Sequence, residues 1–338
     1  MPALALRKCM RVNKKRTLRW TSQVENTNEI CFEIASRLAN DIIDETAREY
    51  FTGLINIGSV SSFALHDNPV LGSAHDTYIA RQILALFQKR ADLVIDGVDK
   101  EQTARTAFVH AERLCADTNT IFKMRRSNSF FLLSGVESVL HRASRKISSI
   151  LGDVPLLSEL HLRFGPGATT NLTKRDAHAR YKLAAAFACS EDLVPRLQDV
   201  VDEVPLWALE ASVGEHHVSV EIHNARVAFV PKNCKTHRGI CVEPQLNSFI
   251  QLGYGEYIAE RLRSRVGQDV RDQSRNQEAA RMGSLTGETV TVDLSSASDT
   301  IALELVWDLL PHDWASALSY CRSGSVEGVF PEQVLRLE

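Results

Sequence analysis

The stretch TVTVDLSSASDT, residues 289–300, followed by IALELVWDLL over 301–310, decides how this chain is read. Alternation through Val290 and Val292 predicts a strand with one buried face. Asp293 shares the opposite face with Thr289 and Thr291, at the strand's C-terminal end. A Ser-rich turn follows, and helical periodicity resumes at 301 with Ser298 or Asp299 as the expected N-cap. A carboxylate at the end of a strand, just before a helix, is a recurring place to hold Mg2+. That ion takes one or two protein carboxylates and fills its other positions with water and substrate phosphate. The plainer alternative has Asp299 capping the helix and Asp293 as a turn residue. On the D-x5-D spacing alone, both readings stand.

Upstream, VPKNCKTHRGI at 230–240 carries Lys232, Lys235 and Arg238 at three-residue intervals with no acid between them. Pro231 and Gly239 bracket the segment as an ordered loop or strand rather than a helix. Three convergent cations on flexible stems suit a triphosphate, although short basic loops also commonly sit in water. Between the two segments, Leu246, Phe249, Ile250, Tyr257, Ile258 and Leu262 predict the buried side of a helix over 243–266. Its continuation is rich in arginine (Arg261, Arg263, Arg265, Arg271, Arg275 and Arg281), interleaved with Glu256, Glu260, Asp269 and Asp272. That pattern fits a solvated face or a surface that follows a phosphate backbone. Further upstream, residues 216–230 (HHVSVEIHNARVAFV) alternate like strands and place His217, Ser219, Glu221 and His223 on one face, a solvated face in preference to a metal site.

The two chemical segments together resemble, in their order, motifs F and A of RNA-dependent RNA polymerases. VPKNCKTHRGICVEPQLNSFIQLGYGEYIAERLR and DQSRNQEAARMGSLTGETVTVDLSSASDTIALELVWDLLP are similar to the replicase β subunit of single-stranded RNA bacteriophages, the Qβ-type enzymes. LRFGPGATTN at 162–171 resembles a Gly-Ala-Thr-Thr segment of that family, and IASRLANDIIDE and ISSILGDVP fit its N-terminal region. The resemblance implies an α+β right-hand polymerase: fingers and the start of the palm, behind a mostly helical N-terminal region. It divides the chain into a basic arm (1–29), a helical region (30–155), fingers with motif F (156–285) and an incomplete palm with motif A (286–338).

The implied reaction is template-directed transfer of a nucleoside monophosphate from an NTP to an RNA 3′-hydroxyl with two Mg2+ ions. Asp293 would be a metal-binding carboxylate and Asp299 would read the ribose 2′-hydroxyl. Lys232, Lys235 and Arg238 would hold the triphosphate. The implied partners are RNA template and product, host elongation factors Tu and Ts, and a ribosomal protein, in the host bacterial cytoplasm. No Gly-Asp-Asp occurs in the chain, which stops at Glu338 before the family's motifs B and C. It is therefore expected to be the N-terminal part of a longer polymerase, inactive alone.

Composition agrees with a globular protein of about two domains: 338 residues, 44% hydrophobic and 24% charged. The net charge of −3 argues against a wholly basic polyanion binder, yet residues 1–20 hold Arg7, Lys8, Arg11, Lys14, Lys15, Arg16 and Arg19 without an acid. A basic arm of this kind fits a polyanionic partner or a solubilising tail. Seven cysteines with no CxxC pair fit reduced, structural thiols. No apolar run reaches bilayer length.

In the first half, Ile30, Ile34, Leu38, Ile42 and Ile43 recur at helical spacing, as do Ala104, Phe108, Ala111 and Cys115. Ser134 is the expected cap of a helix with Val136, Leu140, Ala143, Ile147 and Leu151 buried, closed by Gly152. Two other functions fit the same residues. A non-catalytic RNA-binding or replicase-assembly protein would need only the cations. An unrelated Mg2+ phosphotransferase would use Asp293 and Asp299 without a template.

Overall fold

The computed structural model describes residues 23–211 and 217–338, so the basic arm over 1–20 lies outside the described residues. The described part is α+β, and it divides into two compact units.

The first unit, residues up to 98 with 232–235, is helical. It contains α1 (Gln23–Ala39), α2 (Glu45–Ile57), α3 (Val60–Ala64) and α4 (Ala74–Gln88). Three of these helices begin on side-chain caps, where Asp44, Ser59 and Ser73 accept from the N–H groups of Ala47, Ser62 and Asp76. Phe63 and Phe87 stack at 4.6 Å in the core. The face of α1 is displaced by one residue from the expected stripe: Cys31, Ala35 and Ala39 are buried, while Ile30 and Ile34 are exposed. Small side chains on the inner face let α1 and α4 approach closely. Asp76 is buried and accepts from the backbone N–H groups of Ile43 (2.8 Å) and Asp44 (3.1 Å), holding the α1–α2 connection.

Those donors, the Ile43 N–H foremost, hold the Asp76 carboxyl down at about 2, against 3.8 ordinarily. Its folded value lies below its unfolded one. The stabilisation is therefore complete above about pH 4 and lost as the pH falls towards 2. Asp76→Asn is expected to flatten this acid limb, which urea unfolding at stepped pH reads directly.

The second unit holds α5 (Lys100–Arg126), α6 (Ser134–Leu151), α7 (Ala179–Ala184), β1 (Phe187–Cys189), α8 (Leu197–Asp202), α9 (Pro205–Glu210), β2 (Val220–Ile222), β3 (Ala225–Pro231) and β4 (His237–Val242). These are followed by α10 (Gln245–Val266), α11 (Ser274–Thr286), α12 (Leu303–Leu309), α13 (His312–Cys321), β5 (Ser325–Glu327) and β6 (Val334–Arg336). β1 and β2 pair in parallel. A four-stranded sheet runs β4-β3-β5-β6, antiparallel except for the parallel β3–β5 pair.

The helix expected over 243–266 is α10, and Leu246, Phe249 and Ile250 are buried as expected, together with Gly253 and Tyr254. A Cβ at Gly253 would press on Leu162 and Leu160, so glycine is what lets the 160–162 segment lie against the helix. Phe187, Trp207, Phe249 and Phe164 form an aromatic cluster beside it. Asn247 is fully buried and satisfied: its Oδ1 accepts from Ser190 N–H, and its amide donates to Ser190 Oγ and to the Cys321 carbonyl.

Two expectations for α6 need correction. Leu133, not Ser134, is its N-cap, and no side chain caps it. Of the expected stripe only Leu151 is buried, with Val136 exposed. The helix lies against α10 and α12 along its half-buried side, and in its N-terminal turn Val136 is exposed while Glu137 pairs with Arg125 of α5. Its C-terminal end is firmly held. Arg261 donates to the Ile150 carbonyl at 2.8 Å, and the Trp314 indole N–H donates to the Gly152 carbonyl at 2.7 Å. Gly152 sits at φ +65, in the region that favours glycine.

All six described cysteines are free thiols, five of them buried, in keeping with the structural reading. Burial pushes the Cys189 thiol up to about 11 and Cys321 up to about 12.

Candidate functional site

Residues 230–240, expected as an ordered loop or strand rather than a helix, form a hairpin. β3 and β4 pair from Arg226↔Val242 to Pro231↔His237, and the tip is 232–235. The tip is built around Cys234, which no sequence pattern marks. Cys234 is fully buried in the core of the first unit, its N–H donates to the Gln88 carbonyl, and its thiol lies 3.7 Å from the Ala64 carbonyl. Asn233 closes the turn by accepting from Lys235 N–H at 2.9 Å. One small residue among polar neighbours carried no periodic signal. Lys232 is exposed and Lys235 half-buried, and both belong to the first unit, whereas Arg238 belongs to the second with both aspartates.

The second segment departs from expectation. Residues 287–294 form no strand, and Val290 and Val292 are 84% and 71% exposed. A strand needs a neighbour for its backbone donors and acceptors, and among the described residues nothing pairs with this one. Its start is fixed by α11. The chain turns at Gly287, φ +72, and Thr289 folds back so that its hydroxyl donates to the Ala279 carbonyl. A Cβ at Gly283 would overlap the Thr289 carbonyl oxygen. Gly283→Ala is therefore expected to cost about 1–3 kcal/mol or to displace the turn. Faster proteolysis within 287–294 than in the parent chain would register the displacement.

Asp293 is exposed on this segment, with no hydrogen bond to another described residue. Asp299 lies in the turn 295–300, where its carboxylate accepts from Ser298 Oγ at 3.0 Å and its N–H donates to the Ser296 carbonyl. Neither Ser298 nor Asp299 caps the following helix: α12 starts at Leu303 with Ala302 at its N-cap. The donor that Ser298 or Asp299 was expected to satisfy is met from another helix. Asn119 on α5, buried, accepts the Glu304 N–H at 2.8 Å. Cys115 on the same helix lies 3.6 Å from the Asp299 carbonyl. Arg126 and Lys123 pair with Glu304, and Arg125 bridges Glu137 and Asp308. α5 is thus the support on which the turn and α12 rest.

The surroundings of Asp299 are acidic. Burial pushes the Glu112 carboxyl up, the charges of Glu338 and Asp299 add to this, and the Glu338 N–H and Arg322 oppose it. Gly239 on β4 faces Phe108 of α5, so Cys241 shares that face and Arg238, three residues from Cys241, points to the other. Within the second unit, Arg238 and the turn that carries Asp299 are not gathered on one face of β4.

Mg2+ fits these residues only in part. Asp293 is a free hard-oxygen donor, but among the described residues no group of three His, Cys, Asp or Glu could hold a metal ion. Two ions held in register need more carboxylates than this segment offers. Of the strand face read around 217–223, His217 and Glu221 are exposed, and His223 accepts or donates to Thr170 Oγ1 at 2.8 Å beside Glu221. Of the arginines late in α10 and beyond it, three pair with acids: Arg263 with Glu260, Arg271 with Glu256 and Arg281 with Glu278.

The Gly-Pro-Gly turn at 165–167 has a support that its sequence did not announce. Lys182, buried in α7, donates to the carbonyls of Gly165 and Gly167, both at 2.7 Å. Burial pushes the Lys182 amine down. Beyond the turn, Thr170 N–H donates to the Glu243 carbonyl just after β4, which links the 162–171 segment to the hairpin strand.

Comparison with known proteins bears on what these segments serve. The family model described as RNA replicase, beta-chain, matches residues 9–338. The RNA-directed RNA polymerase subunit beta of Enterobacteria phage SP is 33% identical over 89% of this chain and 50% of its own length. That of Qbeta virus (strain MX1) is 36% identical over 88% of this chain and 48% of its own. The RNA-directed RNA polymerase beta chain of Enterobacteria phage GA is 54% identical over 67% of this chain and 43% of its own. The chain spans about half the length of the curated relatives it matches.

Proposed function

Because this chain belongs to the RNA replicase β-chain family, we propose that it is the N-terminal part of an RNA-directed RNA polymerase that copies a viral RNA genome. The observation that carries this reading is the match over residues 9–338, which holds the segments at 230–240 and 289–300 in a single frame. In the longer protein these would be fingers and the start of the palm of a right-hand polymerase. The reaction is nucleotidyl transfer from an NTP to an RNA 3′-hydroxyl, in which positioning and charge neutralisation supply most of the acceleration. Lys232, Lys235 and Arg238 bind the triphosphate, Asp299 recognises the ribose, and Asp293 gives one carboxylate to a Mg2+ site that later residues complete.

The exposed row Val290, Val292 and Leu294 supports this reading. Its alternation is that of a strand with one apolar face, and it lies unpaired here, so further strands of the longer protein would give it both hydrogen bonds and cover. The substrates are RNA template and NTPs. Use of host elongation factors Tu and Ts and a ribosomal protein, in the bacterial cytoplasm, belongs to the same proposal. Among the described residues no helix is long and apolar enough to cross a membrane.

Reading the source RNA beyond codon 338 tests the proposal. A frame that continues through a Gly-rich segment to a Gly-Asp-Asp supports it. A frame that closes at Glu338 leaves a non-catalytic RNA-binding protein.

A further inference from the structure

α6 carries a face that the reading above does not use. Its half-buried side lies against α10 and α12, and on the opposite side Ser138, Arg142, Arg145 and Ser149 follow one another at spacings of three and four residues. At 100° per residue these four fall within a narrow stripe, with Lys146 at its edge. All five are exposed. On other helices of the second unit several cations pair with acids one turn away: Arg105 with Glu101, Arg263 with Glu260 and Arg281 with Glu278. α6 has one acid, Glu137, and it is taken by Arg125. No carboxylate among the described residues lies within ion-pair distance of Arg142, Arg145 or Lys146.

We propose that this stripe of α6 is a docking surface for the phosphate backbone of single-stranded RNA, a proposal that rests on the polymerase reading and places a template or product contact away from the reacting groups. Charge complementarity selects the occupant. Central cations flanked by a hydroxyl at each end match a chain of phosphates, where guanidinium forks and O–H donors both find oxygens. From Ser138 to Ser149 the stripe runs about 16 Å, long enough to meet several consecutive phosphates of a strand. No aromatic side chain lies on the stripe to stack bases, so the contact is expected to be indifferent to sequence.

The test is the salt dependence of binding of the full chain to a fluorescein-labelled, mixed-sequence single-stranded RNA 20-mer. Each phosphate neutralised contributes about 0.7 to the slope of log K against log salt on single strands. The triple variant R142Q/R145Q/K146Q is therefore expected to lower that slope by about 2, so that a fourfold rise in salt costs it about twenty-fold less affinity than it costs the parent. R142K/R145K/K146R should keep the parent slope. Ser138→Ala with Ser149→Ala should weaken binding at unchanged slope. All five positions are exposed, so thermal melts of the variants should match the parent.

An unchanged slope in the glutamine variant, with the parent binding normally, overturns the stripe and leaves the polymerase reading standing. No RNA binding by the parent chain overturns both. If the glutamine variant keeps its RNA slope but loses binding to polyglutamate that the parent shows, the surface belongs to an acidic protein and the proposal falls.

Discussion

Asp293→Ala, placed in the longer protein of which this chain is part, is expected to lower nucleotide incorporation by at least about 10³-fold, the scale of losing a group that organises charge at a phosphoryl-transfer centre. The expectation rests on isolation. Asp293 makes no hydrogen bond among the described residues and caps no helix, so its removal costs the fold little. A large loss of activity at an unchanged melting temperature would therefore report chemistry. Asp299→Ala should act differently. Asp299 holds a local bond to Ser298, and in the proposed role it reads the sugar. Discrimination between ribonucleotides and deoxyribonucleotides should then relax by more than the rate with ribonucleotides falls. Equal incorporation by Asp293→Ala and the parent would remove Asp293 from the mechanism.

The largest effect on stability is expected at Trp314. Its side chain is wholly buried, with its ring 6.0 Å from Tyr254 and 5.8 Å from Tyr257. Its indole N–H holds the Gly152 carbonyl just past the end of α6. Trp314→Ala removes the ring and leaves that carbonyl unpaired, at a cost of about 3–5 kcal/mol. Trp314→Phe keeps most of the apolar area and forfeits the hydrogen bond, at about 1–3 kcal/mol. Urea titrations of the three proteins would order them parent, Phe, Ala. A Phe variant as unstable as Ala would assign the whole effect to the hydrogen bond, and one equal to the parent would assign it to packing.

Much of the secondary structure was legible because the long helices are periodic and well punctuated. α10 shows its buried face in Leu246, Phe249 and Ile250 and ends on a left-handed glycine, Gly267. Pro231 and Gly239 marked 230–240 as an ordered loop or strand, although not as a hairpin. What failed to show was whatever depends on partners distant in sequence. The Glu304 N–H in the first turn of α12 is held by Asn119, more than 180 residues upstream, and no local pattern could prefer it over Ser298 or Asp299. Cys234 and Lys182 are buried by the same logic, one in a helical core and the other beneath a turn.

The missed strand at 289–292 is the reverse case. Its pattern is sound, but a strand exists only when another strand accepts its hydrogen bonds, and none of the described residues does so. The inner face of α1 shifted because Ile30 and Ile34, the stronger apolar signals, lie outside while small residues face α4. Of the candidate site, residue types and spacings were readable, whereas their assembly into one centre was not. Lys232 and Lys235 sit in the first unit, and Arg238 shows its side chain on the face of β4 away from Cys241.

The most direct measurement is nucleotide incorporation by the longer protein on a defined heteropolymeric RNA template, with all four NTPs and Mg2+. The expected product has a sequence complementary to the template, and its formation stops when the template is withheld. A purified, folded protein that makes no product on any RNA, or makes the same product without template, would contradict the polymerase reading.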